Sequence, residues 1–205
     1  MILTLLPAAL AAGESADIEL LRPTFSLGGA PGIDTPLVKD YGNIQVGSLL
    51  QYTRDPLVLY AEGVDQGAVV GRRQTLYLGI VADLTPKTSA RLILPGAVQW
   101  GSENPDRVGS ALGLGDLSVG VRQQLLTAGP VILGAHIDLA VPTGTQLSWL
   151  GESSPRFFAG GLMHVDLGPI HPLLAVSTTQ RSAVDTEQDF LLGNELSANL
   201  GVRYE

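Results

Sequence analysis

From Asn43 onward the apolar residues fall at every second position in eight stretches, near 43 to 53, 73 to 84, 88 to 100, 114 to 126, 130 to 142, 156 to 167, 170 to 180 and 192 to 204. A two-residue period places successive side chains on opposite faces of a strand, so each stretch reads as a strand with one apolar and one polar face. In the fourth, Leu117, Val119 and Val121 oppose Asp116, Ser118, Gly120, Arg122 and Gln124. The fifth sets Leu133, Ala135, Ile137, Leu139 and Val141 against Gly134, His136, Asp138 and Ala140, and the eighth sets Leu196, Ala198, Leu200, Val202 and Tyr204 against Glu195, Ser197, Asn199, Gly201 and Arg203. The second and third follow with Leu76, Leu78, Ile80, Ala82 and Leu84 against Tyr77, Gly79 and Asp83, then Leu92, Leu94 and Val98 against Arg91 and Gln99. Strands that each carry one apolar face need one common apolar neighbour.

Connections alternate in length. Thr85-Pro86-Lys87, Thr127-Ala128-Gly129 and Gly168-Pro169 are tight links, whereas 54 to 72, 101 to 113, 143 to 155 and 181 to 191 are long and polar. Short turns at one end and long loops at the other are the up-and-down pattern of an outer-membrane barrel. In a soluble two-sheet sandwich the apolar faces would instead meet each other, and alternation alone does not separate the two. The polar face favours the barrel: its members are small (Gly79, Gly120, Gly134, Gly160, Gly201) or of opposite charge (Arg91, Asp116, Arg122, Asp138, Asp166, Glu195, Arg203), and lysine stands only at 39 and 87. Small residues and paired charges suit a crowded lumen. Tyr41, Tyr52, Trp100, Trp149, Phe157, Phe158, Phe190 and Tyr204 fall at strand ends or in loops, where aromatic girdles meet the membrane interface.

Ahead of the strands, residues 1–12 (MILTLLPAALAA) read as a signal peptide: an apolar run closed by the small-x-small Ala9-Leu10-Ala11, with only the α-amino group as positive charge. Residues 13–42, rich in proline and glycine, read as a lead-in segment in which only Ile18 to Leu27 looks extended. Charged residues make up 16% of the chain and apolar ones 45%, a balance that excludes intrinsic disorder. A net charge of -8 with scattered cations excludes a nucleic-acid partner, and the absence of cysteine removes disulfides, thiolate metal sites and cysteine nucleophiles. No apolar run after the N-terminus reaches the roughly 18 residues of a membrane helix, so a membrane role requires strands.

Gly113-Leu114-Gly115-Asp116-Leu117, then Val119-Gly120-Val121-Arg122 and Leu139-Ala140-Val141-Pro142-Thr143-Gly144, resemble the GLGDL and LPTG signatures of Gram-negative barrels of the OmpA-family or phenol-degradation-transporter type, with Val141 in place of the leucine. Leu21-Arg22-Pro23, the run from Gln51 to Leu59, Leu94-Pro95 and Leu192-Gly193-Asn194-Glu195-Leu196 are similar to the same family's N-terminal region, particularly in its myxobacterial members. The resemblance spans most of residues 17–205. It implies further strands after residue 205, and often a periplasmic peptidoglycan-binding domain. The ending Val202-Arg203-Tyr204-Glu205, inside the strand pattern and without a terminal Phe or Trp, agrees with a barrel at 43–205 that is the N-terminal part of a larger one. The stretch near 192 to 204 is then expected to present an unpaired edge, or to close only loosely against the stretch near 43 to 53.

Candidate chemistry is sparse. His136-Ile137-Asp138 and His164-Val165-Asp166 each place a histidine and a carboxylate on one face, which is compatible with a metal site but more simply with lumen ion pairs. His171, beside Pro172, reads as interfacial. No G-x-S-x-G, H-E-x-x-H or P-loop occurs, and Ser118, Ser177 and Ser197 sit in no activating motif, so neither an enzyme nor a cofactor is expected. Gly28-Gly29 lacks phosphate-loop spacing and reads as a flexible loop. The expectation is an all-β, antiparallel up-and-down transmembrane barrel in the outer membrane, in contact with lipid, serving as an envelope anchor or passive small-solute channel. Its lumen-facing polar candidates are Arg91, Asp116, Arg122, His136, Asp138, His164, Asp166, Glu195 and Arg203. A soluble secreted β-sandwich binding module is the alternative.

Overall fold

A computed structural model describes residues 22–26, 28–30, 32–61, 64–101, 110–145, 150–182, 184–185 and 191–205. The strands are β1 (Ile44–Ala61), β2 (Val64–Thr85), β3 (Thr88–Gly101), β4 (Ala111–Leu114), β5 (Leu117–Ala128), β6 (Val131–Val141), β7 (Arg156–Val165), β8 (Ile170–Gln180), β9 (Val184–Asp185), β10 (Leu191–Leu192) and β11 (Glu195–Tyr204). One antiparallel sheet runs β1-β2-β3-β5-β6-β7-β8-β11, with β4 also paired to β3; β9 and β10 form a separate pair. The main path is thus an eight-strand half-barrel, and among the described residues no ladder joins its edge strands β1 and β11.

The apolar face points outward. Ile137 is 63% exposed, Leu200 77% and Val202 66%, and Val119, Val46, Leu50, Leu78 and Ile80 are exposed with them. A sandwich would bury these residues, so the exposed apolar face of a single curved sheet excludes that alternative. Inward positions carry the buried polar groups instead: Arg73, Thr75 and Asp83 on β2, Gln99 on β3, Arg122 on β5, Asp138 on β6 and His164 on β7. Among the described residues no helix is long and apolar enough to cross a membrane.

Aromatics mark two levels on the outer face. Tyr204 pairs with Ile170 near the tight turns, and Phe157 pairs with Gln180 near the long loops. The ten residues of β8 between those levels rise about 33 Å along the strand, or about 25 Å across a sheet tilted by about 40°, the height of an outer-membrane apolar band. Exposed Tyr52 and Trp100 join the loop-end level and Tyr41 the turn-end level. Phe158 departs from the expectation: it points inward and is 4% exposed, because its neighbour Phe157 takes the outward phase of β7. Trp149 and Phe190 lie outside the described residues.

The region 54 to 72, expected as a loop, is strand at 54–61 and 64–72, while residues 62 and 63 lie outside the described residues. Leu57 pairs with Val70, Val58 with Ala68 and Tyr60 with Asp65, after a register shift that accommodates Asp55 (φ 48°) and Pro56. The bulge absorbs the residues that read as a turn, and pairing resumes beyond it. The fourth stretch is likewise split at Gly115-Asp116 into β4 and β5, both paired to β3.

Candidate functional site in the barrel interior

The described part of the lead-in segment lies on the concave side. It starts at the turn end, where the Lys39 amide and Asn43 Nδ2 donate to Asp83 Oδ2 (both 3.3 Å) and the Gly42 amide donates to the Asp83 carbonyl (2.8 Å). From there Pro36 packs over Gly134, where an added Cβ would stand 2.6 Å from its own Cβ, and Ile33 seats against Gly201. Ile33 joins Leu162, Leu173 and Ala175 in the only buried apolar cluster among the described residues. The Phe25 ring covers Gly47 and Gly79, and Arg22 lies 3.1 Å from the Phe158 ring centroid. The inward glycines are therefore bays for the lead-in segment, whose packing would be lost to any larger side chain. Gly28-Gly29, expected as a flexible loop, stands where the Gly29 amide donates to the Ser26 carbonyl (3.2 Å), just before Ala30 and Ile33 exchange backbone hydrogen bonds of 2.9 and 2.8 Å.

A charge cluster tethers the segment at mid-height. Asp34 Oδ1 accepts from Ser26 Oγ (2.5 Å), the Thr35 amide (2.8 Å), Arg122 Nη1 (3.0 Å) and Thr24 Oγ1 (3.1 Å), while its Oδ2 accepts from Arg91 Nη1. Arg91 also donates from Nε and Nη2 to the two oxygens of Asp138, each at 2.5 Å, and His136 Nδ1 lies 2.7 Å from Asp138 Oδ2. Arg122 donates further to the Thr35 carbonyl (2.9 Å) and Ser89 Oγ (3.0 Å). Burial alone would raise the carboxyl pKa of Asp34, which lies on the lead-in segment and not on a strand. The charges of Arg91 and then Arg122, with the Ser26 and Thr35 hydrogen bonds, outweigh burial and hold it well below the usual carboxylate range.

Toward the loop end, Asp116 organises the β6–β7 connection. Its carboxylate accepts from the Gly144 amide (3.0 Å), the Glu152 amide (2.9 Å) and Arg156 Nη2 (3.1 Å). Charges continue from Arg156 to Glu152 (3.5 Å), to Arg181 (2.7 Å) and to Glu195 (2.5 Å). Leu150 is thereby folded inward, and Gly115 admits it because a Cβ there would sit 2.9 Å from the Leu150 carbonyl oxygen. The two signature motifs thus meet in space, with the aspartate of one bound to the glycine amide of the other.

The turn end holds a third group. His164 and His171 stack with ring centroids 5.3 Å apart, and Asp166 Oδ1 and Glu205 Oε2 lie 3.6 and 3.5 Å from the two nitrogens of His171. His171 is 6% exposed, so it is an interior residue and not an interfacial one. The two His-x-Asp sequences are not brought together: His136 and Asp138 bind Arg91, His164 stacks on His171, and Asp166 sits exposed past the end of β7. Arg203 reaches Glu205 at 2.5 Å. Among the described residues no group of three His, Asp or Glu side chains is placed to hold a metal ion.

Between the mid-height tether and the loop end lies a cavity of about 730 Å³, lined among others by Arg73, Tyr77, Arg91, Asp116, Arg156 and Arg181. No protein-family model and no curated protein matches the chain. Among solved structures, the crystal structure of the COG4313 outer membrane channel from Pseudomonas putida F1 matches with a TM-score of 0.63 and 22% identity, over 83% of this chain and 69% of that one. The fold is that of an outer-membrane β-barrel. For this barrel the resemblance carried by the GLGDL and PTG motifs extends to architecture and not to a particular family.

Sequence reasoning missed the residues that occupy the barrel: Phe25, Ile33, Asp34 and Pro36. Their signal was indirect. A run of inward glycines at 47, 79, 134 and 201 is more space than a lumen needs for itself, and it implies something that enters.

Proposed function

We propose that the protein is an outer-membrane channel for small solutes, exported by the leader at residues 1–12 and narrowed inside by its own lead-in segment and by the inward-folded β6–β7 loop. One observation carries this reading: the sheet turns an apolar face outward and a polar concave face inward, on which about 730 Å³ stays open. An anchor needs no such space, and a filled lumen would serve it better.

In lipid the outer backbone groups of β1 and β11 would have no partners, at a cost of several kcal/mol each. We therefore read the chain as the N-terminal part of a longer polypeptide whose further strands close the gap between these edges. The channel from Pseudomonas putida F1 extends beyond the matched portion, which supports this reading. The signature motifs fit a barrel of the OmpA-family or phenol-degradation-transporter type. A peptidoglycan-binding domain beyond the strands fits the same longer chain.

The test is conductance across a planar bilayer by the purified, lipid-inserted full-length protein, with the strands that close the barrel. Discrete current steps are expected. Insertion verified by protection of the strands from protease, with no current above the leak of the bare bilayer, would overturn the channel reading.

A further inference from the structure

We infer that Asp34 occupies an oxyanion site of the barrel wall, and that a small carboxylate or phosphate in the interior competes with it for Arg91 and Arg122 and so releases the lead-in segment. The solute's route rests on the channel reading above; the site itself does not. Arg91 on β3 and Arg122 on β5 come from neighbouring strands, with Ser89 opposite Arg122 and Arg91 opposite Gly120. Their Nη1 groups converge on the two oxygens of one carboxylate. Two guanidinium groups aimed at one carboxylate make a receptor for a planar or tetrahedral oxyanion.

Without the lead-in segment Nη1 of both arginines loses its carboxylate acceptor. Asp138 engages Nε and Nη2 of Arg91, which leaves Nη1 directed at Asp34. Both acceptors of Arg122 Nη1, Asp34 Oδ1 and the Thr35 carbonyl, belong to the lead-in segment, and its Nη2 goes to the neutral hydroxyl of Ser89. Asp83 is engaged by that same hydroxyl at 2.7 Å, by the lead-in segment at Lys39, and by Asn43 next to it. The Arg122 side chain is only 3% exposed. A buried cation left unpaired is strongly unfavourable, so an anion must stay whenever Asp34 leaves. Exchange of one oxyanion for another keeps the pairing intact.

Access is one-sided. The large cavity is lined by Arg91, Asp34, Asp138 and His136, so a solute reaches the pair from the loop side. On the Arg122 side the space bounded by Thr24, Phe25, Ser26 and Ser89 is only about 10 Å³, enough for a single water. Since Asp34 is tethered, its effective concentration is on the order of millimolar, and competition is expected at solute concentrations of that order.

The test uses the protein in detergent micelles, with sodium acetate and inorganic phosphate as probes and chloride at matched ionic strength as control. In the wild type, millimolar acetate or phosphate, but not chloride, should speed hydrogen exchange at the Ile33 and Thr35 amides by on the order of tenfold. In Asp34→Ala, acetate should refill the site and raise the unfolding temperature in a saturable way, and adding Arg122→Gln should abolish that rise. A response to only one of the two probes identifies the oxyanion class and supports the site. Asp34→Asn, which keeps the side-chain shape, reports on folding, and should Asp34→Ala fail to fold, the wild-type exchange measurement decides alone. Unchanged exchange in the wild type up to about 100 mM of either probe would overturn the site. A protein that responds to acetate but carries no current sinks the channel reading and leaves the site standing; one that conducts but shows no response sinks the site.

Discussion

Ile137→Arg is expected to destabilise the lipid-inserted barrel by about 2 to 4 kcal/mol, the cost of an arginine on the lipid face near the bilayer midplane. Ile137 lies in the middle of β6, between Val121 on β5 and Ala159 on β7, and is 63% exposed. Val119, also exposed and opposite Leu139, should behave similarly. The same substitution at Ser118 or Ser197, which line the open cavity, leaves the arginine in water and should cost less than about 1 kcal/mol. Urea titration of the vesicle-inserted protein, followed by tryptophan fluorescence, measures the difference. Equal losses at Ile137 and Ser118 would mean that the two faces are assigned wrongly.

Asp116→Ala should cost about 3 kcal/mol and free the β6–β7 loop. The substitution removes the acceptor of two backbone amides and of Arg156 Nη2 at once, in a place where Asp116 is 5% exposed. Hydrogen bonds to a charged group are worth about 1.5 to 3 kcal/mol each, and Glu152, 3.5 Å from Arg156, moderates the loss of the ion pair. Local opening by that amount raises amide exchange at Gly144 and Glu152 by on the order of a hundredfold, with the Val121 and Ile137 amides of the sheet unaffected. Asp116→Asn retains the shape and should fall between. Unchanged exchange in Asp116→Ala would show that the loop is held by its glycine packing alone.

The outer wall of the barrel was legible in the sequence because lipid imposes a strict rule. Every second residue of β2, β5, β6 and β11 had to be apolar, and the alternation of Leu76, Leu78 and Ile80 or of Leu196, Leu200 and Val202 records it. The interior obeys no such period. Asp34 sits in a Pro/Gly-rich stretch where nothing repeats, and its partners Arg91 and Arg122 are separated from it by 57 and 88 residues. At Phe157-Phe158 the following Ala159-Gly160-Gly161 offers no contrast between faces, so the phase that turns Phe158 inward was invisible. The β1–β2 extension was hidden for another reason: Asp55 and Pro56 carry the local signature of a turn, and only long-range pairing of Leu57 with Val70 overrides it. The motifs around Asp116 and Gly144 stand 28 residues apart in the sequence, and their mutual hydrogen bond comes only from the fold.

The fold requires that β6 show one face to lipid and the other to the lumen. Because the chain contains no cysteine, single cysteines introduced in turn from Leu133 to Leu139 can carry a nitroxide label in the reconstituted protein. Oxygen, which partitions into lipid, and a water-soluble nickel chelate then report the surroundings of each label by electron paramagnetic resonance. A two-residue alternation is expected, with high oxygen accessibility at 133, 135, 137 and 139 and low values at 134, 136 and 138, where the lead-in segment and Arg91 crowd the label. Uniform accessibility to the nickel chelate along the strand, or alternation in the opposite phase, would contradict it.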